Sequence, residues 1–205
     1  MFVKFPSLTR FSHDWTITEK IDGTNGQIII DPLMSADDKP VRDEFSLGEF
    51  NGLHILAGSR NRLIHCGCDN MGFARFVSKS AEDLIRALGE GRHYGEWCGR
   101  GIQRTYGLDR KLFALFNTHR WTGVDLPDHV TVVPVLAEGY MDNPGGAAIG
   151  AMAMMKQNGS VFAPGFMDPE GVVMRHGPSG TVFKKTFDYD EQGKWAENQA
   201  RKNNA

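Results

Sequence analysis

The chain has 205 residues, 40% hydrophobic and 10% aromatic, which is enough to bury one domain's core and too apolar for disorder. A formal net charge of −2 excludes a protein that grips nucleic acid through a bulk positive field, so any such binding needs a local basic face. Cys66, Cys68 and Cys98 alone build neither a disulfide framework nor a four-ligand zinc knot, and no apolar run approaches a signal peptide or membrane span, so a soluble, cytoplasmic protein is expected.

In chain order, apolar and polar residues alternate over 15–19 and 27–30, with Asp22-Gly23-Thr24-Asn25-Gly26 between them, which reads as strand, tight loop, strand. Residues 32–53 are polar and read as a surface excursion before a short strand over 54–58. Over 71–88 the pattern turns helical, with Ser80-Ala81-Glu82-Asp83 offering a capping box and Gly89 and Gly91 ending the helix. Further strands are expected at 93–97, 111–117, 130–136, 171–175 and 181–187. A small Ala/Met-rich helix is expected over 146–157, with Met152, Met154 and Met155 as core packing. The chain turns polar after Asp188. The pattern is that of an α+β domain with mostly antiparallel sheets and few helices.

The segment richest in chemistry is Glu19-Lys20-Ile21-Asp22-Gly23-Thr24-Asn25-Gly26. A lysine at a strand end, followed by a glycine-rich turn, sets its amine over a pocket and lets a phosphate approach the backbone. It lacks the cradle and Lys-Ser/Thr ending of a Walker loop. Downstream come Ser59-Arg60-Asn61-Arg62, Tyr94-Gly95-Glu96-Trp97-Cys98-Gly99, Leu112-Phe113-Ala114-Leu115-Phe116-Asn117, Pro169-Glu170-Gly171-Val172-Val173-Met174 and Val182-Phe183-Lys184-Lys185-Thr186.

In this order and spacing, the lysine loop and the five blocks resemble motifs I, Ia, III, IIIa, IV and V of the covalent nucleotidyltransferases. Glu19-Lys20-x-x-Gly23-Thr24-Asn25 and Gly101-Ile102-Gln103 after Glu96 are similar to the ATP-dependent RNA ligase branch. The resemblance implies an α+β nucleotidyltransferase (ATP-grasp-like ligase) fold, with mostly antiparallel sheets flanking a nucleotide cleft. It implies one adenylyltransferase domain over 1–190, a polar tail over 191–205 and no C-terminal oligonucleotide-binding domain. It also implies RNA-repair chemistry: Lys20 takes AMP from ATP, AMP passes to an RNA 5′-phosphate, and a 3′-hydroxyl displaces it. Such an amine must be neutral to attack, whereas free lysine titrates at about 10.4, so a nearby cation, Mg²⁺ (or Mn²⁺) or Lys184, is expected.

By the same resemblance Glu19 faces the adenine amino group, Phe116 stacks on the ring and Glu96 accepts from ribose hydroxyls. Arg60 meets sugar and phosphates, Asn25 orients a metal-shell water with Asp22 a looser candidate, Glu170 ligates the metal, and Lys184 neutralises the α-phosphate. By residue type alone, Phe113 and Phe116 read as core and Arg62 as a solvated neighbour. Lys184 and Lys185 are adjacent where relatives place a residue between two lysines, and neighbours on a strand face opposite ways, so only one of the pair easily reaches the pocket. The resemblance implies Lys184, which keeps Phe183-Lys184-x-Thr186 in register with the RNA ligase branch.

Arg92, Arg100, Arg104, Arg110 and Lys111 form the candidate RNA-backbone face. His65-Cys66-Gly67-Cys68 reads as a surface turn rather than a metal site. The short C-terminal segment leaves a protein partner to supply substrate grip. The alternatives are a DNA-joining or capping relative on the same scaffold, or a nucleotide-binding partner protein that does not complete ligation.

Overall fold

The structure, a computed structural model, describes residues 14–33, 45–140 and 143–188. Its strands are β1 (Trp15–Lys20), β2 (Thr24–Pro32), β3 (Gly48–Phe50), β4 (Leu53–Gly58), β5 (Leu63–Ile64), β6 (Gly91–Gly99), β7 (Lys111–Leu115), β8 (Val130–Val132), β9 (Val135–Gly139), β10 (Gly171–His176) and β11 (Val182–Thr186). Its helices are α1 (Phe73–Lys79), α2 (Ala81–Leu88), α3 (Thr118–Trp121) and α4 (Pro144–Asn158). The expected α+β class with mostly antiparallel sheets is what the chain adopts. A small sheet runs β11-β10-β1-β9 and a larger one runs β3-β4-β2-β6-β7-β8, with β5 beside β4 and only the β7–β8 pair parallel.

The period-two pattern of β1 divides its side chains between two environments. Trp15 and Ile17 pack with Met152 and Met155 beneath α4, while Thr16, Thr18 and Lys20 face the space between the sheets. The methionine stripe is therefore core, as its composition implies. α4 begins where Asn143 accepts a hydrogen bond from Gly146 N at 3.0 Å and Pro144 supplies a preset φ in the first turn. A second core, built from Ile28, Ile30, Ile55, Phe73, Leu84 and Phe113 among others, holds α1 and α2 on the large sheet.

Two expected elements are interrupted. The helix over 71–88 breaks at Ser80, whose side chain makes no capping bond, so the capping box does not form. The break lets Phe73 and Val77 on one side and Leu84 and Leu88 on the other reach the same core. The strand over 130–136 breaks at Pro134, which has no N–H to give a ladder. Before it, Val133 N donates to Leu115 O in the large sheet at 3.1 Å; beyond it, β9 joins β1, and the Pro134 carbonyl accepts from Glu19 N at 3.0 Å. The chain thus changes sheets at this proline and closes the back of the cleft. The polar excursion contains β3 where it is described. The tail over 191–205 lies outside the described residues. No helix among the described residues is long and apolar enough to cross a membrane.

Candidate active site

Lys20 ends β1 directly opposite Gly171, the first residue of β10, so antiparallel pairing brings it beside Glu170. Its Nζ donates to Glu170 Oε2 at 2.5 Å, with both side chains largely shielded, 21% and 17% exposed. Gly171 permits this approach: its φ is 151°, and a Cβ there would run into the Lys185 carbonyl. Gly23 does the same at the other edge, where a Cβ would collide with the Trp97 carbonyl of β6.

β2 and β6 pair with Asn25 opposite Glu96. Asn25 Nδ2 donates to Glu96 Oε2 at 2.9 Å, and Arg60 Nε donates to Asn25 Oδ1 at 2.6 Å, so three of the expected nucleotide-binding residues form one chain. Burial pushes the Glu96 carboxyl up to about 7. The Lys20 ammonium and the Asn25 amide pull it down, and the Glu170 charge pushes it further up. The floor of the cleft is therefore a desolvated carboxyl close to Lys20 and Glu170.

Lys20, Asn25, Arg60 and Glu96 line a cavity of about 510 Å³ between the sheets, together with Phe116, Lys184, Val173 and Arg175. Phe116 is 44% exposed there, while Phe113 is wholly buried in the core, so only the latter is the packing residue that an apolar strand suggests. Lys184 pairs with Val173 and lines the cavity, whereas Lys185 pairs with Val172, whose side chain packs beneath α4. The adjacent lysines are thus divided by strand alternation, with Lys184 on the cavity side.

Several expected residues are placed differently. Glu19 borders the cleft but is 1% exposed, and its carboxylate accepts from Ser160 Oγ, Val161 N and Phe162 N at 2.6, 2.8 and 2.9 Å. Here it ties the segment after α4 to the strand carrying Lys20, rather than standing open to a base. Arg104 leaves the proposed RNA face: it is 15% exposed and paired with Asp22, Asp168 and Asp188. Asp22 is correspondingly engaged at 3.2 Å by Arg104, and its N–H donates to Tyr106 Oη at 2.8 Å. Lys111 Nζ donates to Met71 O at 2.7 Å, and Arg92, Arg100 and Arg110 of the expected basic face are exposed.

Tyr106 and Ser160 carry no sequence signal as site residues, and Arg104 carries one only as part of a basic cluster. Arg104 joins the segments on which Lys20 and Glu170 sit, and its aspartates are too distant in sequence for any local pattern to connect them. The glycine-rich context of 99–107 was the one available signal, since Gln103, Thr105 and Tyr106 all take positive φ there. His65-Cys66-Gly67-Cys68 is the expected surface turn, closed by Cys68 N to His65 O at 2.9 Å.

No group of three or more His, Cys, Asp or Glu side chains suited to a metal ion occurs among the described residues. Glu170 nonetheless offers the hard oxygen donor that a Mg²⁺-like ion takes singly or in pairs, with water and phosphate completing its shell. The desolvated Glu96 carboxyl nearby marks negative charge that the protein alone leaves incompletely compensated.

Two antiparallel sheets around a cleft, with a strand-end lysine between carboxylates and an exposed aromatic and a second lysine on the walls, define a nucleotidyltransferase-type domain. The RNA ligase family model matches residues 13–186, and the chain belongs to that family. Among solved structures, it resembles a glutamate-to-alanine variant of Naegleria gruberi RNA ligase with ATP and Mn (TM-score 0.56, 16% identity, 91% of this chain and 52% of that one). A lysine-to-alanine variant of the same protein with ATP and Mn gives 0.56 at 18% identity, over 92% of this chain and 52% of that one. A further glutamate-to-alanine variant with AMP and Mn gives 0.55 at 17%, over 91% and 52%. The chain spans about half the length of these structures. No curated protein matches it.

Proposed function

We propose that this chain is an ATP-dependent RNA ligase domain that works through a covalent lysine–AMP. The observation that carries the reading is that Lys20, paired with Glu170 at 2.5 Å, lines a cavity that also presents Glu96, Arg60, Phe116 and Lys184. In the first step Lys20 Nζ, having released its extra proton to solvent, attacks the α-phosphorus of ATP. The N–P bond forms, the bond from the α-phosphorus to the bridging oxygen breaks, and pyrophosphate leaves. In the second, an RNA 5′-phosphate oxygen attacks the same phosphorus, the N–P bond breaks, and the departing Lys20 amine takes up a proton. In the third, a 3′-hydroxyl attacks the activated 5′-phosphate and AMP departs.

The chain's residues divide this work by position. Phe116 stacks on adenine, Glu96 accepts from ribose hydroxyls, and Arg60, fixed by Asn25, meets sugar and phosphate. Lys184 offsets charge that grows on the α-phosphate oxygens. Glu19 holds Lys20 in place through the 160–162 segment. A divalent cation, Mg²⁺ or Mn²⁺, held through Glu170, would supply charge neutralisation of the phosphates. The adenylyltransferase domain on this reading spans 1–190, acts in the cytoplasm in RNA repair, and draws further substrate grip from a protein partner.

The test is incubation with α-labelled ATP and a divalent cation, followed by denaturing electrophoresis and by sealing of pre-adenylylated RNA. Label on the wild-type chain, none on Lys20→Ala, and joined RNA are expected. Label from GTP in preference to ATP would favour a capping enzyme, sealing of nicked DNA alone a DNA ligase, and binding without joining a partner protein.

A further inference from the structure

Beside the nucleotide cavity lies a second groove of about 370 Å³ over the large sheet, and Arg60 and Arg92 line both, so the two are continuous. Strand register explains its course. On β6, Glu96, Tyr94 and Arg92 lie opposite Asn25, Gln27 and Ile29 of β2, and alternate residues share a face. They form a row leading away from Lys20 in steps of about 7 Å, two residues of strand at a time. The turn after β4, closed by Ser59 N to Arg62 O at 2.8 Å, holds Arg60 against Asn25 and places Arg62 on the groove.

The chemistry of this row is that of a nucleic-acid strand. Arg60, Arg62 and Arg92 face one carboxylate, Asp31, in a chain whose net charge is −2, so the positive charge is concentrated here rather than spread. Among the described residues Arg62 and Arg92 have no carboxylate partner. Tyr94 is 54% exposed in a strand whose next five residues, Gly95 to Gly99, are buried. An exposed ring flanked by unpaired guanidiniums is how proteins hold unstacked bases and the phosphates between them. A duplex offers no free base face to such a ring.

We propose that the row from Tyr94 through Arg92 to Arg62 is a track for a single-stranded RNA end, with one base stacked on Tyr94 and successive phosphates on the two arginines. This rests on the RNA-ligase reading and deepens it by assigning where, and in what form, the RNA lies. It also replaces the expectation that Arg62 is a solvated bystander, and it keeps Arg92 of the expected basic face while leaving out Arg104, which three aspartates engage.

The test is fluorescence anisotropy of a 3′-labelled, 5′-phosphorylated single-stranded RNA 12-mer with the full chain, titrated between 50 and 200 mM salt. Arg62→Gln should lower the slope of log affinity against log salt by about 0.7, the loss of one phosphate contact on a single strand. Tyr94→Ala should weaken binding about fivefold to a hundredfold, and Tyr94→Phe should restore it to within about twofold. Melting temperatures within the wild-type range confirm that each variant is folded. An unchanged slope for Arg62→Gln, unchanged affinity for Tyr94→Ala, or competition by a blunt RNA hairpin as strong as by the 12-mer overturns the track. Labelling of the wild type by α-labelled ATP in the same preparation separates the two ideas. A labelled chain with an unchanged slope refutes the track alone, and an unlabelled chain with the expected slope change refutes the ligase reading while supporting the track.

Discussion

Replacing Glu96 with glutamine should make the nucleotide-free protein more heat-stable at pH 8 and leave it little changed at pH 4. Burial raises this carboxyl from 4.5 to about 7 in the folded protein. Between those values the native state still holds a proton that the unfolded chain has released, so stability falls as pH rises from the lower value to the higher. At about 1.4 kcal/mol per pH unit, the accumulated cost above pH 7 is roughly 3 kcal/mol. Glutamine carries no charge to desolvate and its amide oxygen can still accept from Asn25, so most of that cost disappears. Below pH 4.5 the glutamate is protonated in both states and the two proteins converge. For a chain of this size, 3 kcal/mol corresponds to a rise in melting temperature of about 6–12 °C. Thermal denaturation followed by circular dichroism at both pH values measures it, and ATP affinity should fall in the same variant as the acceptor for ribose hydroxyls weakens. A variant less stable than wild type at pH 8, or equally shifted at both pH values, would refute the argument that Glu96 is held charged at the expense of the fold.

Arg104→Met should unfold about 4–8 °C below wild type, since it leaves Asp22 without its guanidinium while the more exposed Asp168 and Asp188 relax into water at little cost. Differential scanning calorimetry reads this, and the same variant should self-adenylylate more slowly because the Lys20 and Glu170 segments lose their tie. Phe116→Ala should melt within a few degrees of wild type yet bind ATP more weakly by isothermal titration. Phe113→Ala, a core truncation, should lose about 3–5 kcal/mol in urea unfolding. Gly171→Ala should yield poorly folded protein, scored by solubility and far-ultraviolet spectra, because its φ of 151° and the neighbouring Lys185 carbonyl leave no room for a methyl group.

What could be read from the residues was whatever local spacing controls. Alternation along 15–19 already sorted Thr16 and Thr18 from Trp15 and Ile17, and alternation at 184–185 already said that only one of two lysines reaches the pocket. The methionine stripe over α4 and the turn at His65–Cys68 were legible for the same reason. Pro134 was visible too, but its effect, moving the chain from one sheet to the other, depends on where β1 lies and so escapes a local pattern. Ser80 shows the converse: its capping signature was sound, yet core demand from Phe73 and Leu84 on either side turned it into a bend. Arg104 was misplaced because charge says nothing of partners more than sixty residues away, and the hydrogen bonds of Glu19, a residue read from the resemblance, were equally out of local reach. Long-range pairing gave one to three aspartates and the other to the 160–162 segment.

The central claim is that the Lys20 amine, set between Glu170 and the cleft, is the atom that takes the nucleotide. Mass mapping of proteolytic peptides after reaction with ATP and Mn²⁺, read under conditions that preserve phosphoramidates, tests it most directly. An AMP adduct confined to the peptide containing Lys20, and lost on mild acid treatment, is the expected result. An adduct on Lys184, Lys185 or any other side chain, with Lys20 unmodified, would contradict it.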